Sequence, residues 1–113
     1  THKSFGELLK WVMLSFGLEY RDKDKVELYQ DLVEFLHKKY RQGKRVALIV
    51  DEAQNMTPDA LEEMRMLSNI NVDKEQVLQI ILVGQPELRE NLKLPELRQL
   101  AQRVAVDYYL EPL

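Results

Sequence analysis

Apolar residues recur every three or four positions over 5–16, which is the spacing of one face of a helix. Ser4 and Glu7 have the spacing of an N-terminal capping box, and Gly17 provides a C-terminal stop. A second helical set spans 29–40, with basic residues towards its end, where the helix dipole is negative. The pattern predicts two amphipathic helices at the start of the chain.

The period then changes from helical spacing to unbroken apolar runs. The run 46–50 lies between charged pairs, as is typical of a strand buried on both faces of a parallel sheet. A second run, 77–83, stops before a proline that forbids continuation of the strand. The segment 104–110 is β-branched and aromatic with partial alternation, so it predicts a third strand.

Helical signals lie between these strands. Thr57 is a suitable N-cap, and the inner face of the helix after it consists of apolar residues and a serine over 61–68. A polar loop is predicted over 69–75, and shorter helices over 87–92 and 95–102. Strands that alternate with helices predict an α/β fold in which three parallel strands have flanking helices and right-handed crossovers.

Composition narrows the class of protein. A chain of 113 residues is about one domain long, and no apolar run approaches the roughly 20 residues that a membrane span needs. The chain has no cysteine and does not begin with a signal peptide, so a cytoplasmic location is expected. The 16 basic and 19 acidic residues are interspersed and give a net charge of −3, which gives no electrostatic support for nucleic-acid binding.

Two adjacent carboxylates, Asp51 and Glu52, follow directly after the run 46–50. Open parallel sheets bind ligands at the carboxyl ends of their strands. A first carboxylate there can hold a magnesium ion, through water because this ion keeps much of its hydration. A second carboxylate can deprotonate a water molecule for attack on a γ-phosphate. The spacing alone also fits a solvated loop that leads into a helix.

Other candidate site residues follow along the chain. Gln85, after the second run, can hydrogen-bond a γ-phosphate or an attacking water without adding negative charge, but it also suits a turn before Pro86. Arg98 and Arg103 can stabilise phosphoryl-transfer charge, also from a neighbouring subunit, although a solvated helix face explains either one alone. Gln54, beside the carboxylates, is a candidate relay, cap or cofactor-binding residue.

Most of the chain from residue 43 onward resembles one family of proteins. The sequence is similar to the AAA+ ATPases typified by general secretion pathway protein A and the mannose-sensitive haemagglutinin pilus biogenesis ATPases. The segments that carry the resemblance are 46–56, 61–69, 82–89, 97–103 and 110–113.

The resemblance implies a P-loop NTPase core of the AAA+ (ASCE) type, with ATP and Mg²⁺ as cofactors of the longer protein. It implies that Asp51 coordinates magnesium, that Glu52 activates water and that Gln85 occupies the sensor 1 position. It further implies that an arginine, Arg98 or Arg103, acts as a finger.

One motif of the family does not occur. A glycine-rich phosphate-binding loop ending in Lys-Ser or Lys-Thr should precede the first helix, but the glycines of 1–113 are isolated. The helical lid after residue 113 is also missing. We therefore interpret 1–113 as a partial AAA+ domain, from the Walker B strand to the start of the lid, that is itself inactive and binds ATP weakly or not at all.

The family's strand order, 5-1-4-3-2, has a physical consequence if it applies to this chain. The segments 46–50, 77–83 and 104–110 become strands three, four and five, and strand one, which belongs between four and five, is absent. Unpaired edges in the middle of a sheet favour rearrangement or pairing between chains. We expect an oligomer or a displaced last strand.

Three functional hypotheses remain. In the first, the longer protein is associated with the bacterial inner membrane and couples ATP hydrolysis to assembly of a secretion or pilus apparatus, with its own copies and a membrane protein as partners. In the second, a related ATPase binds DNA in transposition or replication initiation, which the interspersed charges do not favour. The third, a DEAD-box-like helicase, ranks last because the second strand ends in 84–86 (Gly-Gln-Pro) rather than a Ser-Ala-Thr motif.

Overall fold

A computed structural model describes the backbone of residues 2–108 and the side chains of 7–95 and 97–100. Three strands form a parallel sheet, two shorter strands form a hairpin, and helices fill the connections. In chain order the elements are α1 (His2–Ser15), α2 (Lys25–Arg41), β1 (Val46–Val50), a 3₁₀ turn (Ala53–Asn55), α3 (Pro58–Ser68), β2 (Asn71–Val72), β3 (Glu75–Gln76), β4 (Leu78–Gly84), α4 (Glu87–Asn91), a 3₁₀ turn (Pro95–Leu97), α5 (Arg98–Arg103) and β5 (Val104–Tyr108).

The sheet has the order β1-β4-β5, and both pairings are parallel. Val50 lies opposite Leu82, and Ile80 lies opposite Val104. The predicted α/β fold with three parallel strands and flanking helices is confirmed. The last two residues of the predicted third strand, 109–110, lie outside the described residues.

The place of β5 differs from the strand order that the resemblance implies. Strand β5 pairs directly with β4, at the position that this order gives to strand one. Of the two expected outcomes, the displaced last strand is therefore the arrangement that the structure contains. The sheet satisfies the backbone groups of β4 on both sides in this way.

The prediction that β1 is buried on both faces is wrong for the described part of the chain. Leu48 is 7% exposed, whereas Ile49, on the opposite face, is 64% exposed. Leu48 belongs to one core cluster with apolar side chains of α1, α2 and α3, so its face of the sheet is the one that packs against the core. An unbroken apolar run does not reveal that only one of its two faces is covered.

The start of α1 also differs from the prediction. Because the helix begins at His2, Ser4 and Glu7 fall inside it and cannot form the predicted capping box. Residues three apart lie on the same side of a helix anywhere along it, so this spacing alone does not locate the first turn. The predicted stop is confirmed: Gly17 has a φ of 74°, and the N–H of Leu18 donates to the carbonyl oxygen of Met13 at 2.8 Å.

A capping box occurs instead at α2. The N–H of Glu27 donates to Asp24 Oδ1 at 2.9 Å, and the N–H of Asp24 donates to Glu27 Oε1 at 3.1 Å. These bonds satisfy two backbone groups that a helix start otherwise exposes. Three leucines of this helix, Leu28, Leu32 and Leu36, are buried.

We expect Asp24→Ala to lower the free energy of unfolding by about 1 kcal/mol, because the N-terminus of α2 loses its side-chain acceptor. Urea unfolding of the 113-residue chain would measure this loss. Asp24→Asn is the matched control, since asparagine keeps the acceptor and should stay close to the parent. Equal urea midpoints for Asp24→Ala and the parent would show that the cap contributes little to the free energy of unfolding.

Helix α3 begins and packs as predicted. The Thr57 side chain accepts a hydrogen bond from the N–H of Ala60 at 3.1 Å, and Pro58 occupies the first turn. The predicted inner face is buried, and its members are Leu61, Met64, Leu67 and Ser68. The two short helices after β4 also occur, as α4 and as a 3₁₀ turn that continues into α5. No helix among the described residues is long and apolar enough to cross a membrane.

The predicted polar loop over 69–75 contains a hairpin. Strands β2 and β3 pair antiparallel around Asp73 and Lys74, whose φ angles are 52° and 68°. Two successive positive φ angles are typical of a type I′ turn. Asp73 suits its first central position, but Lys74 stands where glycine is usual, so the Asp-Gly signal is incomplete. The Tyr40 hydroxyl donates to Glu75 Oε2 at 3.1 Å and ties this hairpin to α2.

Candidate functional site

The two adjacent carboxylates lie at the carboxyl edge of the sheet, beside the end of β4. Because Val50 lies opposite Leu82 in a parallel pair, Asp51 and Glu52 leave β1 next to the residues that end β4. Both acidic side chains are exposed. The structure therefore places Asp51, Glu52 and Gln85 at one edge, which is the edge at which open α/β sheets bind ligands.

Glu52 turns the chain away from β1 in a conformation that is uncommon for its residue type. Its φ and ψ are 54° and 38°, in the left-handed region, and its N–H donates to Asp51 Oδ1 at 2.8 Å. A non-glycine residue there carries a cost of about 1–2 kcal/mol, and such residues cluster at functional sites. The 3₁₀ turn Ala53–Asn55 follows at once.

The side chain of Gln54 connects the ends of the two strands. Its Nε2 donates to Glu52 Oε2 at 2.6 Å, and its Oε1 accepts from the N–H of Gln85 at 3.0 Å. The orientation of the amide follows from these partners, because only its oxygen can accept from a backbone N–H and only its nitrogen can donate to a carboxylate. Gln54 is half-buried, whereas the Glu52 carboxylate that it bonds is exposed.

Gly84 makes this link sterically possible, and sequence reasoning missed it. A Cβ atom at this position would lie 2.5 Å from Gln54 Oε1 and 3.2 Å from the backbone nitrogen of Gln54. The end of β4 therefore approaches the turn after β1 more closely than any side chain allows. A glycine that closes a buried apolar strand is a known mark of close backbone approach, and this was the available signal.

The arginines are not brought into this group by the described contacts. Arg98 is exposed at the first position of α5, and none of the described hydrogen bonds joins it to Glu52, Gln54 or Gln85. Helix α5 packs against α3, where Arg65 Nη1 donates to Gln99 Oε1 at 3.2 Å. The side chain of Arg103 lies outside the described residues.

The donor set fits part of a magnesium site. Magnesium is usually bound by one or two carboxylates together with water and phosphate oxygens, and Asp51 and Glu52 offer two exposed carboxylates. No cluster of three or more metal-ligating side chains occurs in the part of the chain that the structure describes. A magnesium ion bound by one or two carboxylates usually completes its shell with water and phosphate oxygens.

Two comparisons with known proteins found a match. Residues 1–92 match the profile of a protein family described as an AAA domain. General secretion pathway protein A from Aeromonas hydrophila is 44% identical over 109 residues, which cover 95% of this chain and 20% of that protein. The chain thus spans about a fifth of the length of this curated relative. No solved structure matches.

Proposed function

Because this chain belongs to the AAA domain family, we propose that the protein containing it hydrolyses ATP to drive assembly of a bacterial secretion or pilus apparatus. One observation carries the hydrolytic part of this proposal. The exposed carboxylates of Asp51 and Glu52 follow one strand of a parallel sheet, and the Gln54 amide links Glu52 to the end of the neighbouring strand.

The carboxylates of Asp51 and Glu52 have different roles in this proposal. Asp51 would hold magnesium through water, and the ion would supply positive charge to neutralise the phosphates. Glu52 accepts a proton from the attacking water. The hydrogen bond from Gln54 uses Glu52 Oε2 and leaves Oε1 to face that water. Gln85, half-buried at the same edge, orients the water or contacts the γ-phosphate.

An arginine from a second copy of the protein completes this site. Arg98 is exposed on α5 and can reach a neighbouring subunit in a homo-oligomer, and Arg103, five residues later, is the alternative. A guanidinium group suits this task because its donors match the charge that develops on the transferred phosphoryl group.

Two observations support a role in secretion rather than in DNA transactions. The curated relative with 44% identity is a general secretion pathway protein. The charges of this chain are interspersed along the sequence and sum to −3, which gives no electrostatic support for binding a phosphate backbone. We propose a cytoplasmic domain whose partner is an inner-membrane protein of the secretion or pilus apparatus.

We expect the full-length protein to hydrolyse ATP only with Mg²⁺, and faster when bacterial inner-membrane vesicles that carry the apparatus are added. Steady-state phosphate release would measure this, with EDTA and with protein-free vesicles as controls. Stimulation by duplex DNA instead of membrane vesicles would favour transposition or replication initiation. No turnover under any of these conditions would contradict the proposal.

A further inference from the structure

We propose that Gln54 is a positioning residue that couples the end of β4 to the Glu52 carboxylate, so that the position of Gln85 sets the orientation of the base. This inference rests on the proposed function, since it concerns the same hydrolytic site. It assigns Gln54 a task other than direct contact with the cofactor.

The amide group of Gln54 carries both a donor and an acceptor. Gln54 donates through Nε2 to Glu52 and accepts through Oε1 from Gln85, at 2.6 Å and 3.0 Å. Both bonds arise from one planar group, so the position of the Gln85 N–H and the position of the Glu52 carboxylate become mutually dependent. An ionised carboxylate in place of the amide can still accept from Gln85 but cannot donate to Glu52.

The side chains of Glu52 and Gln54 differ in burial. Glu52 is exposed, so without a partner its carboxylate would be free to rotate in solvent. Gln54 is half-buried, and its amide oxygen fits into space that exists only because Gly84 has no side chain. The charge-assisted bond of 2.6 Å therefore restrains the exposed Glu52 carboxylate through the half-buried side chain of Gln54.

The side chain of Gln85 takes no part in the bond to Gln54. The bond from Gln85 to Gln54 uses the backbone N–H of Gln85, so the Gln85 side chain remains available for a phosphate or a water. A shift of the end of β4 towards bound phosphate moves this N–H and, through Gln54, the carboxylate of Glu52. Ground-state nucleotide binding does not require this link, whereas the proton transfer does.

The test uses the full-length protein and compares Gln54→Glu and Gln54→Ala with the control Gln30→Glu, an exposed glutamine of α2. We expect kcat for ATP hydrolysis to fall about tenfold or more in both Gln54 variants, because a misplaced base loses part of its contribution. The KM for ATP should stay within about threefold in Gln54→Ala, because this variant adds no charge beside the phosphate and leaves ground-state binding unchanged. Gln30→Glu should match the parent in both constants.

Gln54→Glu has almost the shape of the parent side chain and keeps the bond to Gln85, so it remains informative if Gln54→Ala does not fold. A parent-like kcat in Gln54→Glu would overturn the positioning role, as would a rise in KM without a fall in kcat. Glu52→Gln, measured alongside, separates the two proposals. If Glu52→Gln abolishes turnover while Gln54→Glu does not, only the inference about Gln54 fails. If Glu52→Gln keeps full turnover, both proposals fail.

Discussion

Replacement of Glu52 by glutamine should lower kcat for ATP hydrolysis by about 100-fold or more in the full-length protein, the size expected when a general base is removed. Glutamine has nearly the same shape as glutamate and can still accept the hydrogen bond from Gln54 Nε2 through its own amide oxygen. It cannot take a proton from the attacking water. The effect should therefore appear in kcat, while the affinity for ATP changes little.

Steady-state turnover together with binding of a non-hydrolysable ATP analogue would check this expectation. Glu34→Gln is a matched control, because Glu34 is an exposed glutamate of α2 that lies outside the candidate site. The role of Glu52 as the base would be refuted by an unchanged kcat. Loss of analogue binding together with turnover would instead indicate that Glu52 contributes mainly to binding.

The second large effect is expected at Gly84. In Gly84→Ala the new Cβ atom would lie 2.5 Å from Gln54 Oε1, closer than atoms can pack, so either the glutamine or the end of β4 must move. Overpacking of this kind costs about 1–3 kcal/mol of the free energy of unfolding. Urea unfolding of the 113-residue chain would measure the cost, and kcat of the full-length variant should fall as it does for Gln54→Ala.

A double-mutant cycle would identify the atom responsible. In a Gln54→Ala background the oxygen that causes the clash is gone, so Gly84→Ala should cost much less there than in the parent. A residual cost should remain, because the backbone nitrogens of Gln54 and Ala53 would still lie 3.2 Å and 3.3 Å from the new Cβ. Strictly additive costs would show that the two positions do not interact.

The parts of the fold that sequence predicts are those with a local physical cause. Strands β1 and β4 are predicted by their apolar runs, and the N-terminus of α3 is predicted by Thr57 and Pro58. The grouping of Asp51, Glu52 and Gln85 also follows from sequence, because parallel strands have their carboxyl ends at one edge. Their proposed roles stay predictions.

Features that depend on tertiary contact were not predictable in this way. The Gln54 link joins residues 31 apart in sequence and depends on the close approach at Gly84. The exposure of Ile49 depends on which faces of the sheet the helices cover. The same three-residue spacing of a polar side chain and a glutamate occurs at Ser4 and at Asp24, and only the helix boundary decides which pair forms a cap.

The left-handed backbone of Glu52 places two demands on one residue. Glycine would adopt this conformation without strain, but it would supply no carboxylate to the edge of the sheet. The turn after β1 is therefore less stable than it would be with glycine at position 52, which is a trade between stability and activity. Selection for a more stable domain and selection for a faster enzyme would favour different residues at this position.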